Sequence, residues 1–350
     1  MTDRFNHILK HFPTIDHAFA YGSGVFGQPG LYDRVKKRAG KQPMIDFVFA
    51  VRDPVRWHQE NIECNPMHYS FVSACGPTAV QWATDTIGSG IYYNTLVPVG
   101  SSVIKYGVVS VDTLKRDLRD WDTMYLAGRL QKPVNTLISN DGIVSAQKLN
   151  IDSAMKTALL LCPNTFNVTE LLKIICSLSY IGDIRLGFAE DSKKVERIVR
   201  GSHDRLFEMY TNGMEKALEA SMITLLGPSQ SLVNARSVFR NTLSVSDRTL
   251  LYASLPINVL RNIVKLKRGD KLPKSAKLLT TSEQADMTHR LDLGKYLASS
   301  PYGALALQRA MASIVRRSSF RQGLLGIISA GPFRSAKYLS AKVAKYMASR

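Results

Sequence analysis

The sequence predicts an α+β protein, on three observations. A short apolar strand runs into a glycine-serine turn and then, across a polar loop, into a second apolar strand that opens on an acid. Two further strand-like runs are joined by Gly100-Ser101, a hairpin signal. From about Ser145 apolar residues recur at helical spacing instead, with no convincing strand pattern. The organisation expected is a strand-containing domain over residues 1–140, a mainly helical domain over 141–312 and a basic tail over 313–350. A chain of 350 residues can bury two cores, and 45% hydrophobic with 21% charged residues excludes wholesale disorder.

Each element has its own signal. Residues 9–12 close an N-terminal helix that Pro13 ends, and residues 18–21 form the first strand. A polar loop with Lys36, Lys37, Arg38 and Lys41 leads to a strand over 45–51, which Pro54 ends. Residues 76–86 have helical spacing, stopped by Gly88-Ser89-Gly90. The hairpin strands are "IYYNTLVPV" and "SSVIKYGVVSV". Asp112 is the expected N-cap of a helix running through Asp117, Trp121 and Tyr125 to about Gly128, and Pro133 closes the domain. Helices follow over 154–161, 171–178, 195–199 and 217–226, and residues 265–277 read as a basic, exposed connection.

The turn between the first two strands carries chemistry. Gly22 to Gly27 spell a literal G-x-G-x-x-G, with Asp46 downstream, but Pro29-Gly30 stops the long helix that a dinucleotide fold requires, and Asp46 opens a strand instead of closing one. Strand, Gly-Ser turn and strand with an inward acid match the layout of polymerase-β-type nucleotidyltransferases. Tyr21, Gly22, Ser23 and Gly24 are the candidate nucleotide cradle, since glycine admits close approach of a triphosphate and serine offers a hydroxyl and an N–H. Asp46 is the candidate ligand of a divalent metal. The same residues also fit a plain tight turn and a strand-end acid. Lys105 sits among apolar strand residues, where a charge calls for an anionic partner. Arg129 and Lys132 of "LAGRLQKPV" suit an anion or a helix C-terminus, and Trp57-His58 and His68-Tyr69 suit either a cleft beside Asp46 or the core.

The net charge of +18 points to phosphate-rich partners, and from Leu293 onward there are ten Lys and Arg and no Asp or Glu. Cys64, Cys75, Cys162 and Cys176 lack a C-x-x-C pairing, which disfavours zinc and suits reduced thiols. No apolar run approaches bilayer-spanning length, and "MTDRFNHILKHFP" is a poor transit peptide.

The words "YGSGVF", "MIDFVFAV" followed by "DP", "WH", "NPMHYS", "GIYYNTL", "IKYGVVS", "LAGRLQKPV", "SYIGDIR" and "SIVRRSSFRQ" occur in this order. With them the sequence resembles the mitochondrial phosphatidate cytidylyltransferases, also called translocator assembly and maintenance proteins. The match is densest over residues 18–134 and poor over 209–295. The resemblance implies formation of CDP-diacylglycerol and pyrophosphate from CTP and phosphatidic acid. It implies Mg²⁺ as cofactor and peripheral attachment to the matrix side of the mitochondrial inner membrane, in support of cardiolipin synthesis. The fold implied is a polymerase-β-like nucleotidyltransferase domain, a winged-helix-like domain and a C-terminal membrane-binding segment. Two departures bear on the metal. Arg52-Asp53 stands where an acidic pair is usual, and Val48 stands where polymerase-like enzymes carry a second carboxylate, so Asp53, Asp112 or substrate phosphates are the candidate second ligands. Asp183 and Arg185 of "GDIR" would bring the second domain to the substrates, or form a simple ion pair.

On a helical wheel for residues 332–350, Phe333, Ala336, Leu339, Val343, Tyr346 and Met347 share one face, with Arg334, Lys337, Lys342 and Lys345 mostly opposite. That pattern suits a helix lying in an anionic membrane surface. No nucleic acid is expected as a partner, although a nucleotidyltransferase acting on RNA and a non-catalytic membrane-associated assembly factor are the alternatives.

Overall fold

A computed structural model describes residues 2–26, 44–69, 74–184, 193–227, 233–266, 272–280 and 286–347, with side chains from residue 5 as far as residue 329. Helix α1 (Thr2–Leu9) precedes strand β1 (His17–Tyr21), which pairs antiparallel with β2 (Ile45–Val51). Two helices, α2 (Pro54–Cys64) and α3 (Gly76–Thr86), lead to the hairpin of β3 (Tyr92–Val99) and β4 (Ser102–Ser110). Helix α4 (Val111–Asp120), the short α5 (Ala127–Leu130) and β5 (Asn135–Ile138) follow. The strands form one mixed sheet in the order β3-β4-β2-β1-β5, with β2 and β4 parallel.

Both faces of this sheet are covered, which is why β1 and β2 read as almost unbroken apolar runs. On one face Ile45, Phe47 and Phe49 pack with Phe5 and Ile8 of α1 and Trp57 of α2. On the other, Phe19, Val48 and Ala50 pack with Leu114 and Leu118 of α4 in a core that continues into the helices of the C-terminal half.

Two local expectations are corrected here. Pro54 ends β2 and also starts α2, at the position where its missing N–H costs nothing, and Asp53 is the N-cap, accepting the Arg56 N–H at 3.1 Å. Ser110, not Asp112, caps α4, and α4 stops at Trp121, which is left-handed with φ 55°. The chain turns there because buried Asp117 gathers the N–H groups of Thr123, Met124, Leu126 and Ala127, splitting the expected single helix into α4 and α5.

The second half contains α6 (Asp141–Leu161), β6 (Thr165–Asn167), α7 (Val168–Ser177), α8 (Lys194–Glu219), β7 (Ile223–Leu226) and β8 (Val238–Asn241). It continues through α9 (Val245–Ala253), α10 (Ile257–Leu266), α11 (Lys274–Lys277) and α12 (Met287–Ser299) to α13 (Gly303–Met347). It is not free of strands: β6, β8 and β7 form a three-stranded antiparallel sheet, and the helix expected over 217–226 is the end of α8 followed by β7. Strands of three or four residues are too short to show alternation in the sequence. Part of the 265–277 connection lies outside the described residues, and its end is helical. Helix α13 returns to the first sheet, where Leu325 packs with Val80, Ala83 and Tyr92. The side chains of 332–350 lie outside the described residues. Among the described residues no helix is long and apolar enough to cross a membrane.

Candidate active site

Strand register brings the first candidates together. Asp46 is the partner of Tyr21 on β1 and of Lys105 on β4, so the three occupy one row across three neighbouring strands. Their neighbours Ile45, Phe47, Ile104 and Tyr106 belong to the opposite face, which by the strand alternation puts the row on the face that meets the C-terminal half. Gly22 follows Tyr21 with φ +78°, a backbone conformation natural to glycine, and a Cβ there would stand 3.2 Å from Asp46 Oδ2. A Cβ on Gly24 would run into the Met44 carbonyl. Ser23 lies inside the turn, which closes as Val25 and Phe26 donate to the Gly22 carbonyl at 3.1 and 2.9 Å. The turn thus lays bare backbone against the carboxylate.

Cations and tyrosines surround the row. Lys105 Nζ lies 4.2 Å from the centre of the Tyr93 ring, and the Arg129 guanidinium lies 4.2 Å from that of Tyr21 and 5.5 Å from that of Tyr125. A ring holds a cation without neutralising it. Arg129 Nε is buried with no hydrogen-bond partner among the described residues. Burial works against the Arg129 charge, but its interaction with Tyr21, Tyr93 and Tyr125 once they ionise at high pH holds its pKa well above the ordinary arginine value, and at neutral pH the guanidinium is charged beside neutral tyrosines. Burial also pushes the Tyr93 hydroxyl up to about 12 and that of Tyr21 well above its usual range, so both stay protonated, 3.4 Å apart.

Lys132 extends the positive surface toward the second half. Its Nζ donates to the Gly128 carbonyl and, at 2.8 Å, to Ser179 Oγ, and it lies 5.0 Å from the centre of the Tyr180 ring. Lys194, at the start of α8, meets the same ring at 5.0 Å. Burial lowers the Lys132 pKa to about 8. Farther along α8, Arg205 lies 4.9 Å from the centre of the Phe26 ring, so this helix reaches the glycine turn as well.

Other candidates fall elsewhere. Asp53 caps α2, seven residues beyond Asp46 along extended chain and therefore on the order of 20 Å away, so the two do not share a metal in this arrangement. Asp112 lies in the first turn of α4, beyond the far end of β4. Asp183 is buried after α7, its N–H donating to the Tyr180 carbonyl at 3.1 Å, while Arg185 lies outside the described residues. Trp57, His58 and Tyr69 are core residues: His58 Nδ1 is 2.8 Å from the Tyr69 hydroxyl, Asn61 donates to the hydroxyls of Tyr69 and Tyr106 at 2.9 Å, and burial lowers the His58 pKa to about 3. His68 joins through Tyr106, whose side chain is on the sheet face opposite Asp46.

The residues that sequence reasoning missed are Tyr93, Tyr125, Tyr180, Lys194 and Arg205. The signal for the tyrosines was their recurrence in short glycine-bearing words, "GIYYNTL", "YLAG" and "SYIG". Among the described residues no three His, Cys, Asp or Glu side chains form a metal cluster. Asp46 is the carboxylate of the row, with Lys105 beside it on β4 and Arg129 against the ring of its other row neighbour Tyr21, and such an excess of cations is suited to polyphosphate.

Comparison with known proteins agrees with this chemistry. The family model described as mitochondrial phosphatidate cytidylyltransferase matches residues 5–345. The protein of that name from Schizosaccharomyces pombe is 33% identical over 359 residues, covering 100% of this chain and 85% of its own length. Its namesake from Xenopus laevis is 36% identical over 350 residues, covering 99% and 95%. The Bos taurus protein is 34% identical over 344 residues, covering 97% and 93%. The chain belongs to the family of mitochondrial phosphatidate cytidylyltransferases.

Proposed function

We propose that the chain joins CTP and phosphatidate to give CDP-diacylglycerol and pyrophosphate. The observation that carries this reading is the row of Tyr21, Asp46 and Lys105 beneath the glycine turn, flanked by Arg129 and Lys132, in a chain whose family is named for that reaction. The triphosphate lies over Gly22, Ser23 and Gly24, with Lys105 and Arg129 balancing its charge. An oxygen of the phosphatidate phosphate attacks the α-phosphorus of CTP, the bond from that phosphorus to the β-phosphate bridging oxygen breaks, and pyrophosphate leaves. The attacking group is an anion approaching another anion, so Lys132, with Lys194 beyond it, lowers their repulsion. Nothing in this scheme needs a covalent enzyme intermediate, and the chain contributes positioning and electrostatics.

The site fits Mg²⁺ with Asp46 as its protein ligand. The carboxylate lies against Gly22, where even a Cβ would stand 3.2 Å from Oδ2, and Mg²⁺ is commonly held by one or two carboxylates together with substrate phosphates and water. When bound, the ion supplies neutralisation of phosphate charge during in-line displacement.

In this reading residues 1–140 are a polymerase-β-like nucleotidyltransferase domain and 141–312 a winged-helix-like domain, a description that the mixed sheet and the small three-stranded sheet support. Residues 313–350 attach the chain peripherally to the matrix side of the mitochondrial inner membrane, where CDP-diacylglycerol feeds cardiolipin synthesis. The test is incubation of the purified chain with labelled CTP, Mg²⁺ and either phosphatidate or RNA. Label in lipid with release of pyrophosphate is the expected result. Label in RNA, or no turnover on either substrate, would instead favour a nucleic-acid enzyme or a non-catalytic assembly factor.

A further inference from the structure

Helix α8 brings cations to the candidate site at two separate places. Lys194, at its start, lies 5.0 Å from the centre of the Tyr180 ring, which Lys132 meets at the same distance. Arg205 lies 4.9 Å from the centre of the Phe26 ring, at the glycine turn. Eleven residues separate the two, or ~16 Å at a rise of about 1.5 Å per residue. Ser202, between them, leaves helical geometry with φ −138° and ψ 24°, so separate helical segments carry the two cations.

Phe26 ties Arg205 to the nucleotide cradle. Its N–H donates to the Gly22 carbonyl at 2.9 Å, and Gly22 is the residue at which a Cβ would stand 3.2 Å from Asp46 Oδ2. The guanidinium therefore stands one closed turn away from the carboxylate, and it comes from the other half of the chain.

Arg205 also keeps its charge available. The acids nearest to it along α8 are Asp204, which is fully exposed and 3.6 Å from His203, and Glu208, and neither forms an ion pair with it. Among the described residues its guanidinium makes no hydrogen bond, and the Phe26 ring positions the charge without neutralising it. An exposed arginine on a ring is by itself an ordinary surface contact. What sets this one apart is its place over the turn, with a planar fork of donors left for phosphate oxygens.

The two cation positions match the two ends of the reaction. Displacement at the α-phosphorus puts the entering and leaving oxygens on opposite sides of it, roughly in line. If phosphatidate enters beside Lys132 and Lys194, pyrophosphate leaves on the side of the glycine turn, where Arg205 stands. We propose that Arg205 clasps the β- and γ-phosphates of CTP and takes up the charge that passes to pyrophosphate as its bond to the α-phosphorus breaks. This assignment rests on the proposed reaction and adds to it a residue of the second half that recognises the leaving group.

The test measures equilibrium binding of CTP, pyrophosphate and CMP to the full chain with Mg²⁺ present and no lipid. Arg205→Gln should weaken CTP and pyrophosphate at least about tenfold and leave CMP within about twofold, because only the first two carry the phosphates it would hold. Lys216→Gln, which removes an exposed charge farther along α8, should change none of the three. Phe26→Leu, which withdraws the ring that aims the guanidinium, should show the same selectivity to a smaller extent. Equal losses for CTP and CMP, or no loss of pyrophosphate, would overturn the assignment, and Arg205→Lys decides it by the same ratios should Arg205→Gln not fold. An unselective result leaves cytidylyl transfer to phosphatidate standing. A parent chain that binds CTP but transfers nothing to phosphatidate removes that reaction and leaves the polyphosphate clasp, whereas one that binds neither CTP nor pyrophosphate removes both.

Discussion

At the residue scale the site depends on one carboxylate among several cations. Asp46 is the acid of a row whose other charged members are positive, so neutralising it alters the balance more than any other single change there. Asp46→Asn should lower CDP-diacylglycerol formation by at least about a hundredfold while the melting temperature stays near that of the parent chain, because the amide keeps the shape and loses the charge. Full activity in a folded Asp46→Asn protein would remove the metal role. Lys132 gives a pH signature. Its pKa is lowered to about 8 by burial, so in the free enzyme the cation is lost as pH rises through 8. The unfolded chain, with an ordinary lysine near 10.5, holds the proton longer, so this group makes stability rise with pH between about 8 and 10.5. Activity should move the other way: kcat/KM should fall above about pH 8 as the phosphate-facing charge disappears. Lys132→Arg should carry that limb to higher pH, whatever its absolute rate, and an unmoved limb would assign the titration to another group.

At the scale of elements, the sheet register and one helix cap sort the candidate acids. The sequence spacing of Asp46 and Asp53 suits a pair, but β2 is extended between them and Asp53 is spent as the N-cap of α2. Asp53→Ala should therefore cost about 1 kcal/mol of stability with little change in kcat, and Asp53→Asn, which still caps, should change neither. Loss of activity in both variants, measured at a temperature where both are folded, would return Asp53 to the chemistry. The cores of β1, β2 and the hairpin were legible because their apolar runs are long. Helix α2 was not, since Pro54 reads equally as the end of a strand and the start of a helix. The strands β6, β7 and β8 were hidden by their brevity, because packing and not propensity holds a three-residue strand in place.

At the scale of the whole molecule, the candidate site forms where the first sheet meets the segments around α7 and α8. Lys132, Ser179, Tyr180 and Lys194 close one side of a surface that Tyr21, Asp46 and Lys105 open on the other. Helix α13 packs on this body through Leu325 and its backbone continues to Met347. Deleting residues 332–350 should abolish sedimentation with cardiolipin-containing liposomes and lower activity on phosphatidate in bilayers, while CTP binding in solution persists. The four lysines and arginines of that segment contribute about 1 kcal/mol each at an anionic surface, enough with an apolar face for peripheral attachment. If the truncated chain binds such liposomes as tightly as the full chain at the same salt, the anchor lies upstream, and the exposed Phe320, Leu324 and Ile327 of α13 are the residues to vary next.

The sequence alone determined the mixed α+β class, the glycine-serine turn with its acid, the basic charge and the family resemblance. These are properties of local order, in which neighbouring residues carry the signal. Only the tertiary structure decided which residues meet. Register set Lys105 beside Asp46, the turn at Asp117 aimed Arg129 at Tyr21, and the packing of α8 brought Lys194 to Tyr180. It also separated Asp53 and Asp112 from the row and consigned His58 to the core. The reason is geometric: a strand carries the chain about 3.3 Å per residue, so residues near in sequence can be far apart, while hydrogen-bonded neighbours on adjacent strands stand within about 5 Å however distant they are along the chain.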